Sequence, residues 1–180
     1  MFEPHNQIAR ARNRGAAAAA GDWLVFVDAD SSPCPGLFRD LGEAIESGRC
    51  LAGGSTVAAD SDSFGFRLAV RVWNAISRIN RWGAGSFIFC EAAAFHELGG
   101  FSEDLYAAEE LDFFQRLKPL ARRRGWKILI LHRYPLHTSD RKVRLYTWGE
   151  LFGFLGKMML HPRRTPRSAS SCNTWYDGRR

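Results

Sequence analysis

Two aspartates, Asp28 and Asp30, follow an uninterrupted apolar run within the segment GDWLVFVDADSSPCPGLF. The run, residues 23–27, has the aromatic and β-branched content of a strand that is covered on both faces. Residues i and i+2 of an extended chain point to the same side, so the spacing predicts that both carboxylates face one point. Two hard oxygen ligands suit Mg²⁺ or Mn²⁺, which complete their shells with water and ligand phosphates.

A turn is the alternative explanation for this D-x-D motif, because Asp, Ser and Pro all start turns and DADSSPCPG is rich in them. A second acidic group favours the ligand interpretation: Glu109, Glu110 and Asp112 open a predicted helix after the segment LGGFSEDLY. Acids at a helix N-terminus complement the helix dipole, so this group is also weak evidence by itself. The two groups are informative only together, and in this order along the chain.

Length and composition restrict the class of protein. The 180 residues, 46% of them hydrophobic, are enough for one domain, expected over residues 1–160, with a basic tail over residues 161–180. The formal net charge of +6 favours anionic partners. The four cysteines lack zinc-like or disulfide-like spacing, which fits a reducing, cytoplasmic location. No apolar run has the length of a membrane span, and the N-terminus lacks a signal-peptide core.

Helix and strand patterns alternate along the chain, which predicts an α/β fold. A helix is expected from Asn6, as its N-cap, to Gly21, and the apolar run at residues 23–27 is the first strand. The later predicted elements are a helix at residues 37–47, a strand at 50–59, a helix at 64–80, a strand at 86–90, a helix at 91–98, a helix at 109–122 and a strand at 126–132.

Two amphipathic segments need partners. The helix at residues 64–80 places Leu68, Val72, Ile76 and Ile79 along one stripe, and we expect this stripe to pack into the core while the arginines face solvent. The segment RKVRLYTWGELFGFLGKMML, residues 141–160, is aromatic and basic, which favours peripheral contact with an anionic membrane surface. Packing within the fold explains that second segment equally well.

The two acidic groups, in this order, resemble the family 2 glycosyltransferases of the GT-A fold. ARNRGAAAAAGDWLVFVDADSSPCPGLF is similar to the family's block of helix, strand and D-x-D motif, and GAGSFIFCEAAAFHELGGFSEDLYAAEELDFFQRL resembles the acceptor-side block that ends in an acidic pair. The resemblance covers most of Ile8 to Leu117. It implies a Rossmann-like three-layer α/β sandwich that transfers a sugar, with inversion, from a nucleoside-diphosphate donor to a hydroxyl acceptor.

The resemblance also implies roles for the acidic residues. Asp28 and Asp30 flank a divalent cation, Mg²⁺ or Mn²⁺, and Asp30 is the preferred direct ligand that bridges to the donor diphosphate. Glu110 falls where the family usually has an aspartate that acts as general base. Its side chain is one methylene longer than that of aspartate, which shifts the position of the carboxylate, so Glu109 is the alternative base. His137 would add a nitrogen ligand to the metal or contact phosphate, with an ordinary structural role as the alternative.

Other residues are expected to bind the two substrates. Asp28 is also expected to contact the nucleotide-sugar donor. Arg12 is expected to contact the donor as well, and an equal alternative is that it lies on a solvent-exposed helix face. Arg141 or Lys142 would close over the diphosphate as a cationic clamp. The acceptor side is expected to be lined by Gly85, Ser86 and Asp112.

Members of the family begin with a strand, a helix and a second strand that hold the nucleotide base, and this sequence starts after them. We therefore expect a truncated GT-A domain with weak donor binding and with exposed sheet edges that favour self-association. The expected acceptor is a glycan or lipid-linked precursor at the inner membrane face. The competing function is a non-catalytic interaction module, and no recognised motif supports a nucleic-acid partner.

Overall fold

The computed structural model describes residues 3–59 and 64–138. These residues fall into two compact units. The first contains residues 3–18 and 101–109, and the second contains residues 19–59, 64–100 and 110–138. The single domain expected over residues 1–160 stays a prediction, and the expected tail over residues 161–180 lies outside the described residues.

The helices and strands alternate as the sequence predicts, and the prediction of an α/β fold is confirmed. In chain order they are α1 (Ile8–Ala18), β1 (Trp23–Val27), β2 (Ser31–Ser32), α2 (Pro35–Glu46), β3 (Cys50–Ala59), α3 (Phe64–Asn80), β4 (Phe87–Glu91), α4 (Ala92–Glu97), α5 (Glu109–Arg124) and β5 (Lys127–Thr138).

The strands form one five-stranded mixed sheet in the order β1-β4-β3-β5-β2, all of it within the second unit. β4 pairs antiparallel with both β1 and β3, so it lies in the interior of the sheet. β3 runs parallel to β5, and the short β2 pairs antiparallel with β5. Within the described residues, β1 and β2 are therefore the edge strands.

A hydrophobic cluster fills the space between α2 and the sheet. Leu37 of α2, Phe87 and Phe89 of β4 and Leu136 of β5 are fully buried in it. The rings of Phe87 and Phe89 meet edge to face with their centroids 6.4 Å apart, which is a favourable aromatic geometry. This cluster fixes which face of β4 points toward α2.

The first helix begins later than the sequence predicts. The carbonyl of Gln7 accepts the amide of Ala11 at 3.1 Å, so Gln7, and not Asn6, occupies the N-cap position of α1. The side-chain amide of Gln7 donates to the carbonyls of Glu103 and Leu105 at 2.6 and 3.0 Å. These long-range contacts within the first unit determine where α1 starts.

The last strand is longer than predicted. β5 runs through Pro135, and its pairing with β3 shifts register between Leu131 and Leu136. A proline has no amide to give to a ladder and is tolerated at such an irregularity. His137, expected after the end of the strand, therefore lies within β5.

The sequence predicted that the apolar side chains of α3 pack into the core, and this prediction is wrong. Ser77 of α3 is fully buried, and the side chain of Asn74 bonds both the amide and the carbonyl of Val57 in β3, at 3.0 and 2.9 Å. The side of the helix that carries Asn74 and Ser77 thus faces the sheet. The apolar side chains are 39% to 81% exposed, namely Leu68, Val72, Ile76 and Ile79.

Two glycines let β3 approach its neighbours closely. A Cβ on Gly53 would overlap the carbonyl oxygen of Leu129 and the ring of Phe89. A Cβ on Gly54 would lie 2.7 Å from the Cα of Gly83. Because real Cβ atoms do not make such contacts with backbone, both positions require glycine, and the segment around Gly83 lies directly on the sheet.

We predict opposite effects for two glycine-to-alanine substitutions. Gly53→Ala forces overlap in the centre of the sheet and should lower the free energy of unfolding by about 1–3 kcal/mol. Gly42→Ala, inside α2 with nothing within 4 Å of the added Cβ, should raise it by about 0.5–1 kcal/mol. Urea unfolding followed by circular dichroism measures both, and equal effects would contradict the close packing of β3.

Candidate functional site

The D-x-D motif lies in a turn, not in an extension of β1. β1 ends at Val27, and the amide of Ser31 donates to the carbonyl of Asp28 at 3.0 Å, which closes the turn. The two aspartates therefore do not follow the alternation of side chains along a strand. That alternation gives no reason to expect their carboxylates to face one point. Asp28 and Asp30 are both partly exposed, and the turn leads directly into β2.

Strand pairing brings the first aspartate to a residue predicted for acceptor binding. Val27 pairs with Phe87, and the amide of Asp28 donates to the carbonyl of Ser86 at 3.2 Å. Gly85 precedes Ser86 in the same connection between α3 and β4. The antiparallel register of β1 and β4 thus places the D-x-D turn beside the Gly85–Ser86 segment.

His137 lies on the other side of the same turn. It is exposed and pairs with Ser32, two residues after Asp30. Among the described residues, however, no three His, Cys, Asp or Glu side chains form a group that could hold one metal ion. Asp28, Asp30 and His137 therefore do not form such a group in the described part of the chain, and their joint role as ligands stays a prediction.

The D-x-D turn still fits a cation whose shell is completed by its substrate. The hydroxyl of Ser31 is buried and has no hydrogen-bond partner within the described part of the chain. Mg²⁺ is usually held by only one or two carboxylates, together with waters and substrate phosphates. Asp28 and Asp30, with the hydroxyl of Ser31 at the start of β2, are a donor set of this kind.

The start of α5 is fixed by an arginine that the sequence analysis did not identify. Arg116 donates to the carboxylate of Asp112 and to the carbonyls of Leu98 and Gly100, each at 2.8 Å. Asp112, expected on the acceptor side, therefore holds the arginine that ties α5 to the turn after α4. The Asp–Arg spacing of i and i+4 was the available signal.

Aromatic packing positions Glu110 within the second unit. Phe114, one helical turn after Glu110, lies against Gly83, where an added Cβ would be 2.5 Å from its ring. Phe113 packs against Phe95 of α4 with ring centroids 5.3 Å apart. The first turn of α5, with the partly exposed Glu110, thus lies beside the segment that continues to Gly85 and Ser86.

Arg12 and Glu109 bind each other inside the first unit. Nη1 of Arg12 lies 2.9 Å from Oε1 of Glu109, and their side chains are only 11% and 5% exposed. The guanidinium of Arg12 also lies 5.4 Å from the centroid of the Phe101 ring. This ion pair engages one oxygen of the buried Glu109 carboxylate, whereas Glu110 is partly exposed.

Asn13, next to Arg12, closes the contact between α1 and the segment after Gly100. Its side-chain amide donates to the carbonyl of Phe101, and its side-chain oxygen accepts the amide of the same residue, both at 2.9 Å. These bonds hold α1 to the residues that follow Gly100 within the first unit. Arg141, expected as a clamp on the diphosphate, lies outside the described residues.

Comparison with known families identifies this chain. Residues 1–98 match the profile described as Glycosyl transferase family 2. The chain belongs to glycosyl transferase family 2. The part of this family 2 chain that matches contains the D-x-D turn and the Gly85–Ser86 segment and ends before α5. No curated protein matches the family 2 chain.

We predict that the buried ion pair of the first unit stabilises the fold. Arg12→Ala removes the guanidinium that pairs with the buried carboxylate of Glu109, which should lower the free energy of unfolding by about 3–5 kcal/mol. Arg14→Ala is the matched control, because Arg14 is 48% exposed and solvent screens its bond to Glu3, so its loss of stability should be much smaller. Equal stability losses in urea would show that the Arg12–Glu109 pair has no special role.

Proposed function

We propose that this family 2 chain is a glycosyltransferase domain of the GT-A type, which moves a sugar from a nucleoside-diphosphate donor to a hydroxyl acceptor with inversion. The observation that carries the proposal is the hydrogen bond from the amide of Asp28 to the carbonyl of Ser86. It joins the D-x-D turn to the segment on which the start of α5 packs. An acidic turn and a second acidic group are the two parts that such a transfer needs.

Asp28 and Asp30 are proposed to hold the divalent cation, with the hydroxyl of Ser31 and the donor phosphates as further ligands. A bound Mg²⁺ or Mn²⁺ would supply electrostatic stabilisation of the departing diphosphate. His137, exposed on β5 beside Ser32, is proposed to contact a donor phosphate. Arg12, which pairs with Glu109, is proposed to contribute to donor binding as well.

Glu110 is the proposed general base. It accepts the proton of the acceptor hydroxyl as that oxygen forms a bond to the anomeric carbon. The bond from this carbon to the diphosphate breaks on the opposite face, and the diphosphate leaves with the electron pair. Gly85 and Ser86 are proposed to line the acceptor side, where small residues let the backbone approach a sugar. Asp112 is proposed to act there through Arg116, which keeps α5 in position.

The organisation and location of the chain are proposals as well. We propose one domain over residues 1–160 that acts in the cytoplasm, at the inner membrane face, on a glycan or lipid-linked acceptor. The segment at residues 141–160, from which membrane contact was expected, lies outside the described residues. Deleting the chain after Arg144 should reduce its partition to vesicles if that segment contributes.

A non-catalytic interaction module is the second candidate, and one observation favours it. β1 is an edge strand within the described part of the sheet, and Val25 and Val27 are each 39% exposed. An exposed apolar edge can pair with another chain, which would also account for the expected self-association. Turnover of a nucleoside-diphosphate sugar is the measurement that distinguishes the two candidate functions.

We predict that a panel of nucleoside-diphosphate sugars contains a donor that the chain hydrolyses or transfers when Mn²⁺ is present. Asp30→Ala and Glu110→Gln should each lower turnover by about 100-fold or more, because each removes a group with its own task. Asp22→Ala is the matched control, since it removes an exposed acid at the other end of β1. Circular dichroism checks that each variant is folded.

Three results would contradict this assignment. No turnover with any donor favours the interaction module. Full turnover in Asp30→Ala removes the D-x-D turn from the mechanism. The base is Glu109 if Glu109→Gln loses turnover without losing stability while Glu110→Gln remains active.

A further inference from the structure

The outward face of α3 is a continuous apolar surface. We call it the α3 stripe, and it consists of side chains that are 74%, 50%, 51%, 39% and 81% exposed, in order Phe64, Leu68, Val72, Ile76 and Ile79. Their spacing of three or four residues puts them on one side of the helix, over about 22 Å of its length. The opposite side, with Asn74 and Ser77, is the one that contacts the sheet.

Within α3 itself, every charged side chain is basic. Arg67, Arg71 and Arg78 are exposed and, at helical spacing, form a row along one border of the stripe. α3 contains no Asp or Glu at all. A helix with a wide apolar face and arginines along its border is typical of helices that lie in the plane of a membrane interface.

A cationic cleft continues this surface at the end of α3. The cleft has a volume of about 310 Å³ and is lined by Ile79, the last member of the α3 stripe, and by Arg81, Lys118 and Arg122. No Asp or Glu lines it among the described residues. Burial, followed by repulsion from Arg122 and Arg81, lowers the pKa of Lys118. The three cations therefore converge on one space.

The cleft is separate from the D-x-D turn. Its sheet residue, Ile128, pairs with Ala52, and Ala52 pairs with Cys90. Cys90 pairs in turn with Leu24, near the start of β1, whereas Asp28 follows the end of that strand. The cations of the cleft thus lie toward the opposite end of the sheet from the proposed donor site.

We propose that the α3 stripe and the cationic cleft together form a docking surface for an anionic lipid bilayer. α3 lies in the interface plane, its apolar side chains enter the acyl boundary, and the cleft receives lipid phosphate groups. Docking is peripheral, since none of the helices in the described ranges combines the length and the apolar character that spanning a bilayer requires. The surface does not depend on the proposed glycosyl transfer.

Charge complementarity favours the bilayer over two other occupants. A second copy docked through the same surface would bring its own arginines against those of the first, because a two-fold interface is formed by the same patch on both partners. The segment at residues 141–160 has four Lys or Arg and a single acid, so it does not complement the cations either. A surface rich in anionic headgroups does.

Vesicle flotation of the full chain tests the proposal. We expect flotation with vesicles of phosphatidylcholine and phosphatidylglycerol in equal parts, little with phosphatidylcholine alone, and a loss of binding in high salt. The stripe variant Leu68→Gln/Ile79→Gln and the cleft variant Arg81→Gln/Arg122→Gln should each bind about tenfold or more weakly. All four side chains are exposed, so both variants should fold, as circular dichroism will check.

Each variant has a control that makes a similar replacement, apolar by polar or arginine by glutamine, elsewhere on the surface. Val25→Thr/Val27→Thr alters two exposed apolar residues of β1, and Arg39→Gln/Arg49→Gln removes two exposed arginines outside α3 and the cleft. Both controls should float as the wild type does. The proposal is overturned if the wild type does not float, if it floats equally without phosphatidylglycerol, or if the stripe variant floats unchanged. It is also overturned if light scattering shows that the stripe variant no longer dimerises while its binding to vesicles is unchanged.

Discussion

The antiparallel pairing of β4 between β1 and β3 is the constraint on which the rest of the second unit depends. It buries Phe87 and Phe89 against α2, and the same register sets the carbonyl of Ser86 against the amide of Asp28. A slip by one residue would turn the two phenylalanines to the other face and separate Ser86 from the D-x-D turn. Core packing and site geometry are therefore consequences of one strand register.

Local patterns predicted most of this architecture. The bounds of β1, β3 and α3 agree with the prediction, because continuous apolar runs and a helical period are visible without knowledge of the neighbours. The strand β2 and the extension of β5 depend on pairing between Ser32 and His137, which are far apart in the chain. A turn of Asp and Ser residues gives no local sign of such a partner.

The candidate site was predictable by residue type but not by arrangement. The sequence indicated both acidic groups, yet it gave no means to separate Glu109, buried against Arg12, from its neighbour Glu110, which is partly exposed. The side of α3 that faces the sheet could not be predicted from the sequence either. A hydrophobic period shows that an apolar stripe exists, while the contacts of Asn74 with β3 decide which side faces the sheet. Arg116 was missed because its partners are mainly backbone carbonyls.

The central claim is that the D-x-D turn, the Gly85–Ser86 segment and the start of α5 form one cation-dependent site. Paramagnetic broadening of backbone amide signals during a Mn²⁺ titration tests it most directly. We predict that the signals of Asp30, Ser86 and Glu110 broaden together at the first additions, while the signal of Lys118 in the cationic cleft keeps its intensity. Broadening confined to other residues, or broadening at Asp30 that leaves Ser86 and Glu110 unaffected, would contradict the claim.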